Sequence, residues 1–143
     1  MLAYLDTSAA LKLVIDEPES DAMEELIWDE ERVVVSSWLL HTELHCAHAR
    51  REGVGSALID AVLGMTRLAE VHRADLIAAA GLERLRTNDA IHLATAVRLE
   101  AQEMITYDAE LAAAASRLGM RVLSPGLARR TPDSSLQEPR SAR

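Results

Sequence analysis

Residues 2–8 read Leu2-Ala3-Tyr4-Leu5-Asp6-Thr7-Ser8, a short apolar run that gives way abruptly to three polar residues. Such a run is typical of a buried β-strand that enters a turn. Residues 9–15 are rich in Ala and Leu and predict a short helix. The loop Asp16-Glu17-Pro18 ends it, because the residue before a proline avoids helical backbone angles. The stretch therefore predicts a strand, a turn and a helix.

The same alternation continues along the chain. Val33-Val34-Val35 indicates a second strand, because β-branched residues favour extended backbone. Thr87 or Asn88 is expected to cap a helix that starts at Asp89. We predict strands at residues 2–5, 33–35, 70–72, 104–107 and 121–123, and helices at residues 9–15, 20–28, 38–52, 54–68, 74–85, 89–99 and 109–118. This order predicts an α/β protein, a three-layer α/β/α sandwich with a central, mainly parallel sheet.

Length and composition indicate one cytoplasmic domain. A chain of 143 residues with 49% hydrophobic residues is long enough for a proper core and argues against disorder. The single cysteine, Cys46, excludes an internal disulfide and fits a reducing compartment. Asp6 lies where the hydrophobic core of a signal peptide would have to be, and the apolar stretches are too short to cross a membrane. We predict a domain at residues 1–125 and a solvated, flexible tail at 126–143, where Gly, Pro, Ser and Arg dominate.

The net charge argues against binding of nucleic acid through a broad basic face. The formal charge of the chain is −8. The segment from Gly126 onward contains four arginines and two acids, so the rest of the chain has a net charge more negative than −8. An acidic body can nevertheless act on a polyanion where metal ions neutralise the contact. Arg50, Arg51 and Lys12 are the candidate phosphate contacts.

Four acids lie where apolar elements meet polar sequence: Asp6, Glu43, Asp89 and Asp108. Asp6 and Asp108 end predicted strands, and ligands of open parallel sheets bind beyond the carboxyl ends of strands. Asp89 starts a helix, whose positive dipole end favours an anion. Glu43 interrupts an apolar helix. Because a carboxylate is costly to bury unless it is paired or bound to metal, the four contexts together suggest one shared cation site.

Such a cluster of acids restricts the chemistry. Two carboxylates about 4 Å apart repel by about 4 kcal/mol at an effective dielectric of about 20. Either one carboxyl keeps its proton or a divalent cation gathers them, and oxygen ligands favour Mg²⁺ or Mn²⁺ over Zn²⁺. Ser8 and Thr106 each lie two residues from a site acid and are expected to orient the carboxylates. A site of this kind can hydrolyse a phosphodiester with one metal or two.

The histidines are weaker candidates. His41 and His45 are one helical turn apart, but the metalloprotease pattern needs a glutamate directly after the first histidine, so a packing or surface role is expected. His92 follows Asp89 by three residues and could face the acidic site. A buried, hydrogen-bonded histidine is commoner than a functional one, and we expect that role for His92.

Four segments occur in a specific order and spacing: Tyr4-Leu5-Asp6-Thr7-Ser8-Ala9-Ala10-Leu11-Lys12-Leu13, the helix with Glu43 after Val33-Val34-Val35-Ser36, Asn88-Asp89-Ala90-Ile91-His92-Leu93-Ala94-Thr95-Ala96, and Ile105-Thr106-Tyr107-Asp108. Together they resemble the PIN-domain ribonucleases, and specifically the VapC-type toxins of bacterial toxin–antitoxin pairs. The resemblance covers residues 2 to about 125 and leaves only the tail unmatched.

The resemblance implies an α/β/α fold, a Mg²⁺- or Mn²⁺-dependent endoribonuclease, and a homodimer that a VapB-type antitoxin neutralises. Carried over by position, the catalytic and metal-binding acids are Asp6, Glu43, Asp89 and Asp108, and the supporting hydroxyls are those of Ser8 and Thr106. All four acids are present, so nothing indicates an inactive member of the family. In such pairs an antitoxin segment typically covers the acidic groove.

Two other functions remain open from the sequence. Asp6-Thr7-Ser8 superficially resembles the start of haloacid-dehalogenase-type phosphotransfer domains, which need a second Asp where this chain has Ser8. The second is a non-catalytic binding module, in which the acids only dock a basic partner. The negative body suits an arginine-rich peptide whether or not cleavage occurs.

Overall fold

The computed structural model describes residues 1–127. A single parallel sheet runs through the centre of this part of the chain. Its strands are β1 (Leu2–Leu5), β2 (Val33–Ser37), β3 (Arg67–Ala69), β4 (Glu103–Ile105) and β5 (Arg121–Leu123). They lie in the order β3-β2-β1-β4-β5, so β1 is central, and Tyr4 pairs with Val35 on one side and Met104 on the other. The carboxyl ends of β1 and β4 therefore lie side by side at the same end of the sheet.

Helices connect the strands and cover both faces. They are α1 (Thr7–Val14), α2 (Ser20–Ile27), α3 (Trp38–Arg50), α4 (Ser56–Met65), α5 (Arg73–Ala80), α6 (Thr87–Arg98) and α7 (Ala109–Arg117). Successive residues of a strand point to opposite faces. Leu5 accordingly packs in a core with α1 to α4, and Tyr4 packs in a second core with α6 and α7. These two cores confirm the predicted α/β/α sandwich with a parallel sheet.

The third strand lies earlier than predicted. α4 ends at Met65, and β3 occupies Arg67–Ala69, whereas the sequence placed a helix to residue 68 and a strand at 70–72. Thr66 takes extended backbone angles and its buried hydroxyl donates to the carbonyl of Val62. Arg67 then pairs with Val35. The register on β2, which local sequence does not encode, decides where this strand lies.

The start of α6 also differs from the prediction. Arg86, without a side-chain cap, precedes the helix, which begins at Thr87, so Asp89 is its third residue. Neither Thr87 nor Asn88 caps the helix. The amide of Asn88 is instead directed to Glu43.

The amino ends of the strands contain a buried ion pair. Glu103 is fully buried, and its Oε1 accepts from Nε of Arg32 at 2.9 Å. Arg121 lies 3.7 Å away, while Arg32 also pairs with Asp29. This network joins β4 to the start of β2 at the end of the sheet opposite Asp6.

None of the helices in residues 1–127 is long and apolar enough to span a membrane. The predicted tail lies, from residue 128 onward, outside the described residues. The domain boundary at residue 125 therefore stays a prediction.

Candidate active site

Asp6 lies directly after β1 and is almost completely buried, with 1% of its surface exposed. It caps α1, because its Oδ1 accepts a hydrogen bond from the amide of Ala9 at 2.9 Å. Burial raises the pKa of its carboxyl, although donors from Thr106, Ala9 and Ser8 counteract part of the effect. The Asp6 carboxylate is therefore held by a backbone amide of α1.

Ser8 and Thr106 hold the Asp6 carboxylate from two sides. Ser8 Oγ lies 2.8 and 2.9 Å from the two carboxylate oxygens, and Thr106 Oγ1 donates to Oδ2 at 2.6 Å. Ser8 Oγ in turn accepts from the amide of Tyr107 at 2.9 Å. Both hydroxyls therefore contact the carboxylate of Asp6, and they tie β1 to the chain after β4.

Asp108 caps α7 in the same way that Asp6 caps α1. Its Oδ1 accepts from the amide of Leu111 at 2.8 Å, and its own amide donates to Thr106 Oγ1 at 3.0 Å. Thr106 thus bridges the backbone of Asp108 and the carboxylate of Asp6. Two acids that are a hundred residues apart in sequence are linked through one hydroxyl.

Asp89 lies in the first turn of α6 and is half-buried. Its pKa is raised to about 6, first by burial and then by the negative charges of Asp108, Asp6 and Glu43, while His92 counteracts them in part. Three other site acids therefore act on one carboxyl. This mutual repulsion is the physical sign of a carboxylate cluster.

Glu43 lies in the middle of α3 and accepts three side-chain hydrogen bonds. Thr7 Oγ1 and His92 Nε2 lie 2.8 and 2.6 Å from its Oε1, and the Asn88 amide lies 3.4 Å from its Oε2. Burial opposes ionisation of Glu43, but these donors outweigh it and lower the pKa below the usual value. Glu43 is thus held as a carboxylate.

An open pocket of about 450 Å³ joins these elements. Its lining comprises Thr7, Ser8, Leu11, Glu43, Arg86, Thr87, Asn88, Asp89 and Asp108. Asp6 is not part of this lining, but its carboxylate is hydrogen-bonded to Ser8, which is. The structure therefore brings the four predicted acids to one region, beyond the carboxyl ends of the strands.

The acids do not converge on one point as they stand. Within residues 1–127, no group of three or more His, Cys, Asp or Glu side chains is arranged to hold a metal ion. Asp6 and Glu43 direct their oxygens to hydroxyl, amide or imidazole donors. The donor set is nonetheless all oxygen, which fits Mg²⁺ or Mn²⁺ better than softer metals.

Sequence reasoning missed four contributors: Thr7, Arg86, Asn88 and Tyr4. Thr7 lies between Asp6 and Ser8 and could have been suspected, whereas Arg86 gave no local signal. His92 is a buried, hydrogen-bonded histidine, as expected, and its partner is the site acid Glu43. Its spacing of three residues from Asp89 on one helix was the available signal, because residues three apart share a helix face.

Other candidates do not reach the site. Lys12 is paired with Glu17 and Glu19 and lies 5.0 Å above the ring of Tyr107. His45 is exposed on α3, and its Nδ1 contacts the carbonyl of His41 in the preceding turn. Neither residue lines the acidic pocket.

Sequence comparison identifies the family. The PIN domain family matches residues 3–117 of the chain. Ribonuclease VapC46 of Mycobacterium tuberculosis is 38% identical over 136 residues, which cover 85% of this chain and 96% of the relative. Ribonuclease VapC35 of the same species is 34% identical over 135 residues, covering 90% of this chain and all of the relative. The chain belongs to the PIN-domain family, and its relatives within that family are of the VapC type.

Solved structures show the same fold. VapBC2 from Rickettsia felis, determined bound to a DNA fragment from its promoter, matches with a TM-score of 0.67 at 14% identity, covering 87% of this chain and 99% of the matched chain. VapC20 of Mycobacterium tuberculosis, a toxin that cleaves the sarcin-ricin loop, matches with a TM-score of 0.62 at 19% identity, covering 78% and 94%. At these identities the likeness extends to the fold.

Proposed function

We propose that the protein is a Mg²⁺- or Mn²⁺-dependent endoribonuclease and the toxin of a type II toxin–antitoxin pair. The observation that carries the proposal is the open pocket that Glu43, Asp89 and Asp108 line, with Asp6 hydrogen-bonded to Ser8 of the same lining. The charges of the three other acids contribute to the raised pKa of Asp89. VapC-type relatives named ribonucleases support the reaction. Asp6, Glu43, Asp89 and Asp108 are the proposed catalytic and metal-binding residues.

Each part of the site has a role in this reaction. A bound divalent cation would neutralise the carboxylates and supply the Lewis acidity for attack of water on a phosphodiester. Ser8 and Thr106 fix the orientation of the Asp6 carboxylate through hydrogen bonds. Asp6 and Asp108 are fixed by helix amides, so they lose little freedom when an ion binds.

Arg86 is the proposed phosphate contact. It is exposed and lines the same pocket as three of the acids. A guanidinium at the rim offers two parallel donors to a phosphate, which an acidic pocket otherwise repels. We infer that RNA approaches the acids along the side of the pocket that Arg86 forms.

The proposed partners are a VapB-type antitoxin and a second copy of the chain. One structural neighbour is described as a toxin–antitoxin complex from Klebsiella pneumoniae. The net charge of −8 favours a basic antitoxin segment that reaches the acidic pocket. On α5, Leu76 and Ile77 are 49% and 68% exposed, and neighbouring exposed apolar side chains support burial in a dimer.

The test is cleavage of total cellular RNA by purified, antitoxin-free protein with Mn²⁺ or Mg²⁺, followed by mapping of new ends. A chelator control and Asp89→Asn should both abolish cleavage. Unchanged cleavage by a folded Asp89→Asn variant would contradict the proposal.

A non-catalytic binding module is the second candidate, favoured by the finding that no three acids in residues 1–127 converge as they stand. It predicts binding of a basic peptide without RNA turnover. Phosphotransfer is disfavoured, because Asp6 is 1% exposed and hydroxyls contact both its oxygens, which leaves it poorly placed as a nucleophile.

A further inference from the structure

His92 is a buried histidine that the proposed reaction does not use. It is 1% exposed, and both ring nitrogens have partners. The Tyr4 hydroxyl lies 2.7 Å from Nδ1, and Glu43 Oε1 lies 2.6 Å from Nε2. The ring of Tyr4 also packs edge-on against the imidazole, with centroids 5.6 Å apart. A chain of side chains thus runs from the central strand through α6 to α3.

The direction of these hydrogen bonds follows from the acceptor at one end. A carboxylate only accepts, so Nε2 carries the proton that is donated to Glu43. When the ring is neutral, Nδ1 then accepts a hydrogen bond from the Tyr4 hydroxyl. Tyr4 is fully buried and paired on both sides in the sheet, so it provides a rigid anchor.

Glu43 needs such an anchor more than the other site acids do. Asp6 and Asp108 are fixed as helix caps by backbone amides, and Asp89 has a short side chain in a first turn. Glu43 lies in the middle of α3, where no free amide is available, and its side chain has three rotatable bonds. Its orientation therefore depends on side-chain partners.

The two oxygens of Glu43 are held unequally. Oε1 has close partners in His92 and Thr7, at 2.6 and 2.8 Å. Among the residues that the structure describes, Oε2 has only the long contact of 3.4 Å from Asn88, a residue that lines the acidic pocket. Fixing Oε1 leaves Oε2 as the oxygen with lone pairs free for a cation.

We propose that His92, anchored by Tyr4, is a positioning residue that holds Glu43 Oε1 so that Oε2 can bind the divalent cation. The inference deepens the proposed function and rests on it. His92 does not itself contact RNA or metal in this arrangement. Loss of its Nε2 donor lets Glu43 rotate away, and ion binding then has to order that side chain at an entropic cost.

The first experiment observes the hydrogen bond without any metal. Imidazole nitrogen and proton resonances of His92 are recorded for the wild-type protein and for Glu43→Gln. We expect a Nε2–H tautomer whose proton is shifted far downfield in the wild type and moves upfield in the variant. A protonated Nδ1 in neutral imidazole, or no response to Glu43→Gln, would overturn the inference and leave the proposed nuclease intact.

The second experiment measures Mn²⁺ affinity calorimetrically and the kcat and KM for RNA. His92→Leu should weaken Mn²⁺ binding about tenfold, the lower end of the effect of losing a partner of a metal ligand. It should lower kcat and leave KM for RNA near the wild-type value. His92→Gln, whose amide can donate near the position of Nε2, should restore most of the affinity. Tyr4→Phe should give a smaller loss.

The control is His45→Leu, an exposed histidine on the same helix as Glu43. It should leave Mn²⁺ affinity unchanged. Wild-type affinity in His92→Leu, or an equal loss in His92→Gln and His92→Leu, would show that His92 only fills the core. Failure of the wild-type protein to bind Mn²⁺ or cleave RNA would instead refute the proposed function, whatever the resonances show.

Discussion

The Asp89 carboxyl is half-buried and is repelled by the charges of three other acids. Its pKa of about 6 lies above the ordinary value of 3.8, so folding makes its ionisation less favourable. Because the folded state binds more protons than the unfolded state between these values, this carboxyl lowers the stability of the metal-free protein as pH rises from about 4 to 6. Its contribution is therefore destabilising at neutral pH.

We expect Asp89→Asn to raise the melting temperature of metal-free protein at pH 7 and to have little effect at pH 4. Cleavage of RNA should fall at least about 100-fold, since a charged site residue is lost. Melting curves in chelator at several pH values measure the first effect. Asp60→Asn, at an exposed position on α4, serves as the control and should change neither property. A lower melting temperature for Asp89→Asn at pH 7 would contradict the repulsion argument.

Two buried threonines provide a matched pair. Thr106 Oγ1 donates to Asp6 and accepts from the amide of Asp108, whereas Thr95 Oγ1 is a buried atom without a hydrogen-bond partner in the described residues. Both residues are fully buried. Replacement by the isosteric valine removes hydrogen bonds at Thr106 but only an unpaired hydroxyl at Thr95. The comparison of the two variants therefore isolates the effect of the hydrogen bonds.

Thr106→Val should lower the free energy of unfolding by about 1–3 kcal/mol, because it removes a donor from a buried carboxylate. Thr95→Val should leave it unchanged or raise it, because an unpaired polar group is removed. Urea denaturation of both variants measures the difference. Equal destabilisation would show that the Thr106 contacts contribute nothing specific.

At the scale of elements, the ion pair of Arg32 and Glu103 fixes β4 against the start of β2. Glu103 is fully buried and its guanidinium partner is mostly covered. Arg32→Met leaves Glu103, among the described residues, with only the exposed Arg121 as a cationic neighbour. We expect a loss of about 3 kcal/mol in unfolding free energy, since an uncompensated buried charge is costly.

The double variant Arg32→Met with Glu103→Met tests the reason for that loss. It should recover most of the stability, because the buried charge is gone. Arg121→Met alone should cost less than about 1 kcal/mol, as expected of an exposed partner. A double variant as unstable as Arg32→Met would point to packing rather than charge.

Strands and helices with strong local patterns were predictable. β1 occupies Leu2–Leu5 as predicted, because the apolar run ends there at Asp6. β2 contains three consecutive valines. β3, with the sequence Arg67-Leu68-Ala69, has no strand pattern of its own, and pairing with β2 alone defines it. α5 ends at Ala80 rather than at residue 85, because Gly81 ends the helix and Arg84 adopts a positive φ of 65°.

At the scale of the whole molecule, the proposed function requires a protein with a formal net charge of −8 to bind RNA. The sequence indicated Arg50 and Arg51 at the end of α3, whereas the fold places Arg86 at the acidic pocket. Arg86→Ala should raise KM for RNA several-fold with a smaller change in kcat, and should reduce the salt dependence of RNA binding by about one unit of slope.

Arg51→Ala removes the same charge away from the pocket and is the matched control. Binding of a fluorescent single-stranded RNA, followed at several salt concentrations, compares the two variants. An equal loss in both would show that net charge, and not the place of Arg86, governs binding.

The sequence by itself determined the α/β/α class, most element positions and the identity of the four candidate acids. These features depend on residue patterns that are local in the chain, such as apolar runs, caps and acids at their ends. Tertiary structure alone decided that Thr106 joins Asp6 to Asp108, that His92 reaches Glu43, and that Arg86 borders the pocket. Each of these contacts joins residues from different layers or strands, and their distances depend on strand order and packing, which no local pattern encodes.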